Sequence, residues 1–136
     1  MDPLAHTLVG ASLAETGLGR RTALGTATLI VGANLPDIDG VAAAFGTDTS
    51  LLVRRSWTHG VLALVVLPAL LAATMWGVDR ALARRARARG RDPGPPARPA
   101  ALLLLAYVSV VSHPLLDWLN VYGVRLLAPF DFRFFY

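Results

Sequence analysis

Cysteine and lysine are both absent from this chain of 136 residues, and each absence narrows what the protein can be. Without cysteine it can form neither a disulfide framework nor a thiolate metal site, so a metal ion would have to bind histidine, aspartate or glutamate. All thirteen basic side chains are arginines. The first ten residues, MDPLAHTLVG, contain an acid and no basic residue. Because a secretory signal begins with a positively charged region, we expect none here.

Apolar residues dominate the composition. They make up 54% of the chain, and the mean hydropathy is +0.51, more than a small soluble domain usually carries. Residues 60–78 run for nineteen positions without a charge, long enough as a helix to cross about 30 Å of hydrocarbon. Residues 99–121 form a second apolar segment whose far end turns polar. The sequence therefore predicts two membrane-spanning helices.

Two shorter apolar segments, residues 3–17 and 22–34, come first and are separated by LGRR. Both are rich in small residues, which let helices approach closely in a membrane. They predict a tightly packed helical pair, with a soluble N-terminal pair as the alternative. We therefore expect one domain, residues 1–136, folded as an all-α, compact integral-membrane bundle of about four main helices.

Seven of the thirteen arginines lie in residues 80–99, between the two long apolar segments. The net charge of +4 and the pI near 10.6 would also suit a nucleic-acid partner, but the positive-inside rule explains this run better. Arg20 and Arg21 lie in the first connection, at the same end of an antiparallel four-helix bundle. We therefore expect a multi-pass protein of the cell's inner membrane, with the lipid bilayer as partner, no nucleic acid, and residues 79–99 as a cytoplasmic loop. Nothing in the sequence indicates an oligomeric state.

The opposite, non-cytoplasmic end collects polar side chains. An aspartate at the centre of a membrane helix costs about 2.5–3.5 kcal/mol, so Asp117 needs partners at its own depth. His113 and Asp117, four positions apart, share a helical face at about 6 Å, a spacing that lets two side chains hold one ion. The same topology brings all three histidines and three of the nine acids to this end, together with one arginine: His6, Asp37, Asp39, Arg55, His59, His113 and Asp117.

The stretch LPDID leaves two arrangements open. If Pro36 keeps it extended, Asp37 and Asp39 share a side; if it is helical, they diverge. In the second case one of them would bind the metal directly and the other would orient a histidine. Three histidines with two or three carboxylates suit two metal ions, or one ion and a general base. Zinc is the first expectation, and manganese, iron and nickel also fit nitrogen and oxygen ligands.

Single members of the set also have structural interpretations. His6 alone suits a hydrogen bond between helices, Asp37 suits a turn or a helix cap, and Arg55 beside Trp57 suits an interfacial anchor. These interpretations weaken together, because unrelated polar residues would be scattered over both ends of the bundle. With a metal ion present, Arg55 would stabilise an anionic transition state such as that of a phosphoester.

Four motifs occur in a characteristic order: AHTLVG (5–10), NLPDID (34–39), RRSWTHG (54–60) and the run from SHPLLDWLN to the end (112–136). In this order they resemble the YdjM-like family, described as membrane-bound metal-dependent hydrolases. The resemblance implies a metal site near one membrane face, with Asp39 and Arg55 close by. It places the metal-binding positions at His6, Asp37, His59, His113 and Asp117.

The family is distantly similar to the all-helical zinc-dependent phospholipases C, which favours hydrolysis of a phosphoester or lipid-like substrate. This chain departs from the family pattern at two positions. Arg54 stands where a second histidine often occurs, and Gly60 stands where serine often follows the key histidine. Loss of the serine hydroxyl would change substrate specificity more than it would change metal binding.

Two other functions are open. A transporter or proton relay would also use intramembrane histidine–aspartate pairs, but it needs polar residues along the spans. Residues 61–78 and 101–111 offer only Thr74, Tyr107 and Ser109. The second is a non-catalytic membrane scaffold whose helices are held together by a metal ion or by hydrogen bonds. The predicted function is hydrolysis by metal-activated water, with Asp39 as base or as an orienting group and Arg55 on the anion.

Overall fold

The computed structural model describes residues 3–46, 56–121 and 123–136. These residues form four α-helices and two 3₁₀ helices, and beyond one antiparallel bridge between Val124 and Phe135 they contain no β-structure. The predicted all-α, compact bundle is therefore confirmed. The α-helices are α1 (Pro3–Glu15), α2 (Gly25–Asn34), α3 (Val61–Ala88) and α4 (Pro99–Trp118); the 3₁₀ helices are Leu18–Arg21 and Leu35–Phe45.

Helices α1 and α2 pack closely because glycine removes side chains from their contact. A Cβ atom on Gly10 would lie 2.7 Å from the carbonyl oxygen of Leu29 and 2.8 Å from the Cα of Ile30. On the other side of α2, a Cβ atom on Gly32 would lie 3.0 Å from the Cβ of Ser109 in α4. Backbone approach of this kind is what small residues permit. The predicted tight helical pair is confirmed, and it packs on α4.

Helices α3 and α4 are each long and apolar enough to cross a membrane, with mean hydropathies of 2.3 and 1.8 in their most apolar windows. Leu71 and Ala72 of α3 pack on Leu102, Ala106 and Val110 of α4 in a shared core. The remaining apolar side chains of α3 are largely exposed, as expected of a helix that contacts lipid. They include Leu62, Val65, Val66 and Leu70.

The arginine-rich connection is shorter than the predicted loop of residues 79–99. Helix α3 continues to Ala88, because residues 79–88 consist largely of alanine, arginine and leucine, which favour the helix. Gly90, with φ +67°, lies in the turn that follows. The Arg98 amide then donates to Thr22 Oγ1 at 2.7 Å, and its guanidinium donates to the Arg21 carbonyl. Both arginine-bearing connections therefore lie at one end of the bundle, as expected.

Candidate metal centre

Six of the seven predicted site residues meet at the end of the bundle opposite these arginines. Helix α1 supplies one, the 3₁₀ helix after α2 supplies two, the turn before α3 supplies one, and α4 supplies two. Four of the side chains are completely buried and Asp37 is partly exposed. The seventh residue, Arg55, lies outside the described residues. The six are His6, Asp37, Asp39, His59, His113 and Asp117.

Four side chains form the tightest group. One ligand atom from each of Asp37, His59, His113 and Asp117 lies within 4.8 Å of all the others. The Nε2 atom of His113 is 3.5 Å from Asp37 Oδ1 and 3.7 Å from Asp117 Oδ2, which is also 3.6 Å from His59 Nε2. Two imidazole nitrogens and two carboxylate oxygens around one point are a donor set that suits a divalent transition metal ion.

The two imidazoles meet through atoms that both carry lone pairs. His113 Nδ1 lies 2.6 Å from the carbonyl oxygen of Ala33, which can only accept, so Nδ1 holds a proton, and in the neutral ring Nε2 is bare. Thr58 Oγ1 donates to Asp39 Oδ2 at 2.9 Å and lies 3.0 Å from His59 Nδ1. Because the hydrogen of that hydroxyl points toward Asp39, the hydroxyl oxygen accepts from His59 Nδ1–H, and in the neutral ring His59 Nε2 is bare as well.

The bare Nε2 atoms of His59 and His113 are 3.1 Å apart. Two lone pairs at this distance repel each other unless a cation or a proton lies between them. With the carboxylates of Asp37 and Asp117 beside them, the residues present fit a bound metal ion. This pair of nitrogens is the clearest geometric sign of a metal centre in the described part of the chain.

His6 borders this group. Its ring stacks on that of His113 with centroids 3.7 Å apart and planes 20° apart, and its Nε2 lies 3.5 Å from Asp117 Oδ1. Neither of its ring nitrogens has a hydrogen-bond partner among the described residues, although the side chain is fully buried. Buried polar atoms without partners are costly and uncommon. His6 is therefore placed to complete the coordination of an ion.

Asp39 lies behind His59 and outside the group of four. Its Oδ2 is 3.5 Å from His59 Nδ1, on the far side of the ring from the other ligands. The 3₁₀ course of Leu35–Phe45 makes Asp37 and Asp39 diverge, so the helical alternative is the one observed. A carboxylate that orients a metal-binding histidine through its second nitrogen is a common arrangement. The contacts favour orientation of His59 over service as a base.

Two groups in this network were missed by sequence reasoning. Thr58 links Asp39 to His59, and the carbonyl of Ala33 fixes the ring of His113. A hydroxyl next to a candidate histidine is a weak signal for the first. No signal exists for the Ala33 carbonyl, because every residue has a backbone carbonyl whatever its side chain.

The electrostatics of the group favour a positive charge. Burial raises the pKa of Asp37, but the imidazoles of His113, His6 and His59, whenever they carry an extra proton, hold it below its usual value. Burial lowers the pKa of His59, yet the carboxylates of Asp117 and Asp39 beside the ring raise it overall. In both cases attraction between opposite charges outweighs desolvation. The carboxylates therefore create a field that would attract a metal cation.

The sequence model of the YdjM inner membrane protein family matches residues 1–135. The chain belongs to this family. Together with the two apolar helices, membership makes it a protein of the inner membrane. Searches of curated proteins and of solved structures found no significant match.

Gly60, where the resemblance noted in the sequence leads us to expect serine, lies where a side chain would clash. The C-terminal segment lies against the turn that carries His59, since the Val61 amide donates to the Leu126 carbonyl at 2.9 Å. A Cβ atom on Gly60 would lie 2.9 Å from the carbonyl carbon of Ala128 and closer still to its oxygen. Serine therefore cannot fit at Gly60 without displacing this segment. The first departure, Arg54, lies outside the described residues.

Proposed function

We propose that the protein is a membrane-bound metal-dependent hydrolase that uses metal-activated water on a phosphoester or lipid-like substrate. The facing Nε2 atoms of His59 and His113, 3.1 Å apart, carry this proposal, because such a pair with two carboxylates is arranged to hold a cation. Family membership supports the membrane setting. The described fold supplies a buried, preorganised group of ligands, as a catalytic metal centre requires.

The proposed ligands are Asp37, His59, His113 and Asp117, with His6 completing the set. Five ligands exceed one closed tetrahedral site, so they suit either one ion with higher coordination or two ions. Zinc is the first candidate, followed by manganese, iron and nickel. A divalent ion, when bound, supplies Lewis acidity and makes water a nucleophile near neutral pH.

The protein's own groups hold this arrangement in place. Asp39, through Thr58, keeps the proton of His59 on Nδ1, and the Ala33 carbonyl does the same for His113. Both Nε2 atoms are thus kept bare for coordination. Arg55 is the proposed partner of the anionic transition state, and this role stays a prediction because the residue lies outside the described ranges.

A groove beside the site supports a lipid-like substrate. It has a volume of about 530 Å³ and lies between the start of α1, the end of α2 and the 3₁₀ helix that follows. Its lining is apolar except for Asn34 and the candidate ligand Asp37, so an apolar chain in the groove would bring its polar end to the metal centre. The apolar lining comprises Pro3, Ile30, Val31, Leu35 and Ile38.

We further propose that the arginine-bearing end is cytoplasmic and that the metal centre lies near the opposite membrane face. The positive-inside rule supports the first part. Exposed aromatic side chains near the metal centre support the second, since such residues favour the membrane interface. They include Trp57, Trp118, Phe130 and Phe132. In this arrangement the bilayer is the partner, and no role for nucleic acid is needed.

The core between the two ends of the bundle argues against a relay. Ser109 lies one turn of α4 from His113, and its hydroxyl donates to the carbonyl of Ala106. Beyond it, the fully buried positions of α4 are Ala106, Leu105 and Leu102, all apolar. The buried face of α4 thus provides no polar path from the metal centre to the arginines. A proton or ion pathway would require one.

Hydrolysis by the full chain in detergent tests the proposal. The substrates are a phospholipid and a soluble phosphodiester, assayed after metal removal and after reloading with zinc or manganese. We expect cleavage that is lost with the metal, restored on reloading and absent in His59→Ala. Asp131→Asn, which removes a partly exposed carboxylate that is paired with Arg133 and is not among the proposed ligands, should retain it. Cleavage that survives metal removal, or no cleavage of any ester by metal-loaded protein, would contradict the proposal.

A further inference from the structure

A second pocket lies at the opposite end of the molecule from the metal centre. It has a volume of about 240 Å³ and is formed where the end of α3 meets residues 96–97. Arg80, Arg84 and Arg87 line it, four and three positions apart, and therefore share one face of the helix. We call this the arginine pocket. Nothing in the proposed hydrolase mechanism uses it.

The wall of the pocket opposite α3 is fixed in place. Ala97 is buried and belongs to the core shared by α3 and α4. Its amide donates to Asp79 Oδ2 at 3.1 Å, which ties the wall to the helix. Asp79 is the one carboxylate in the lining, set against three guanidinium groups. The pocket therefore carries net positive charge, and its two walls, α3 and residues 96–97, are fixed relative to each other.

The depth of the arginines matches that of lipid headgroups. The uncharged stretch of α3 ends at Val78, and at about 1.5 Å per residue Arg80 and Arg84 follow it by about 3 Å and 9 Å. The headgroup layer extends about 5–8 Å beyond the hydrocarbon on each side. Helical side chains also tilt toward the N-terminus, which here is toward the bilayer. Both guanidinium groups can thus reach phosphate depth.

Trp76 marks the same interface. It lines the pocket one turn before Arg80, whose guanidinium carbon lies 5.0 Å from the centroid of the indole ring. Tryptophan favours the boundary between hydrocarbon and headgroups. A cation held on its face is restricted in position, so the arginine is partly preorganised to receive an anion.

From these observations we propose that the arginine pocket binds the phosphodiester headgroup of an anionic phospholipid. Guanidinium groups bind phosphate through paired, parallel hydrogen bonds. Basic pockets beside membrane helices are suited to anionic lipids for the same reason. The lipid would lie with its phosphate between Arg80 and Arg84, with Arg87 at the outer edge of the pocket and the acyl chains along the apolar part of α3. This site is independent of the metal centre and of the proposed hydrolase activity.

Arg84 and Arg85 provide a matched pair for the test. They are adjacent on α3, so they lie at nearly equal depth, but Arg84 lines the arginine pocket, whereas Arg85 lines a separate pocket together with Arg89 and Arg91. The full chain is purified in mixed micelles of phosphatidylglycerol and phosphatidylcholine, and the retained lipid is counted by native mass spectrometry. We expect wild type to retain phosphatidylglycerol preferentially, Arg84→Gln to bind it about fivefold more weakly, and Arg85→Gln to differ by less than about twofold.

Several results would overturn the proposal. Wild type without preference for phosphatidylglycerol would do so, and this readout needs no variant. Equal losses of phosphatidylglycerol binding in Arg84→Gln and Arg85→Gln would show that the lipid is attracted by the net charge of the helix and has no specific site. Displacement of the lipid by soluble glycerol phosphate at similar concentration would show that a free phosphate ester, and no lipid, is the ligand. Unchanged helical circular dichroism in both variants serves as the control for folding.

Discussion

Replacing Asp39 with asparagine tests how the protein prepares His59 for a metal ion. Asp39 Oδ2 accepts a hydrogen bond from Thr58 at 2.9 Å and lies 3.5 Å from His59 Nδ1. An asparagine amide can donate to the threonine hydroxyl, which then turns its own proton toward His59 Nδ1. The proton of the neutral imidazole would move to Nε2. That atom is 3.1 Å from His113 Nε2, where the ion is expected.

The size of the effect follows from the hydrogen bonds. A hydrogen bond to a charged group contributes about 1.5–3 kcal/mol, compared with about 1 kcal/mol for a neutral pair. Asp39 is 7% exposed, so water can replace little of the loss. The difference of about 0.5–2 kcal/mol corresponds to about 2- to 30-fold in affinity. Changing a group that orients a metal-binding histidine typically costs about 10- to 100-fold, so we expect Asp39→Asn to weaken metal binding about 10- to 30-fold, where the two ranges overlap.

Competition with a chromophoric chelator, on protein in detergent, measures this affinity. The matched control is Asp131→Asn, which removes the same charge from a carboxylate bonded to Arg133 in the C-terminal segment. The control should stay within about twofold of wild type. If Asp39→Asn matches the control, Asp39 does not orient His59. If it abolishes binding as completely as His59→Ala, Asp39 is a direct ligand and the assigned role is wrong.

Three further predictions follow from the packing and the ligand geometry. Gly10→Ala should lower the free energy of unfolding by about 1–3 kcal/mol, measured by thermal unfolding. The control Gly77→Ala, whose added methyl group meets open space, should not lower it. Equal losses of stability in the two variants would contradict the close α1–α2 contact. Adding zinc should raise the Tm of the metal-free wild type but leave His113→Ala unchanged. His6→Ala should weaken metal binding less than His59→Ala, and the reverse order would place His6 among the principal ligands.

The sequence was sufficient for the fold because the signals for its main elements are local. The long uncharged runs predict α3 and α4, and the small residues of the first two segments predict their tight packing. The predicted loop of residues 79–99 was wrong for residues 79–88, which continue α3, because the prediction interpreted the arginine run by charge alone. Its alanine and arginine content, which favours a helix, carried the correct signal.

The candidate site was predicted in part. The spacing of His113 and Asp117 already indicates a shared face, and the alternation of helix direction brings the other histidines to the same end. The divergence of Asp37 and Asp39 could not be derived, because short segments after a proline take their course from tertiary contacts. The hydrogen bonds of Thr58 and Ala33 also depend on helices that are distant in sequence.

Metal content is the measurement that tests the central claim most directly. Elemental mass spectrometry is run on detergent-purified wild type, His113→Ala and Asp117→Ala, with Ser112→Ala as the neighbouring control and circular dichroism to verify folding. The metal-centre hypothesis predicts one or two equivalents of a transition metal in wild type and Ser112→Ala, and loss in the two ligand variants while they stay folded. Wild type that holds no metal even after zinc or manganese is added would contradict it and leave the cluster as a hydrogen-bonded structural network.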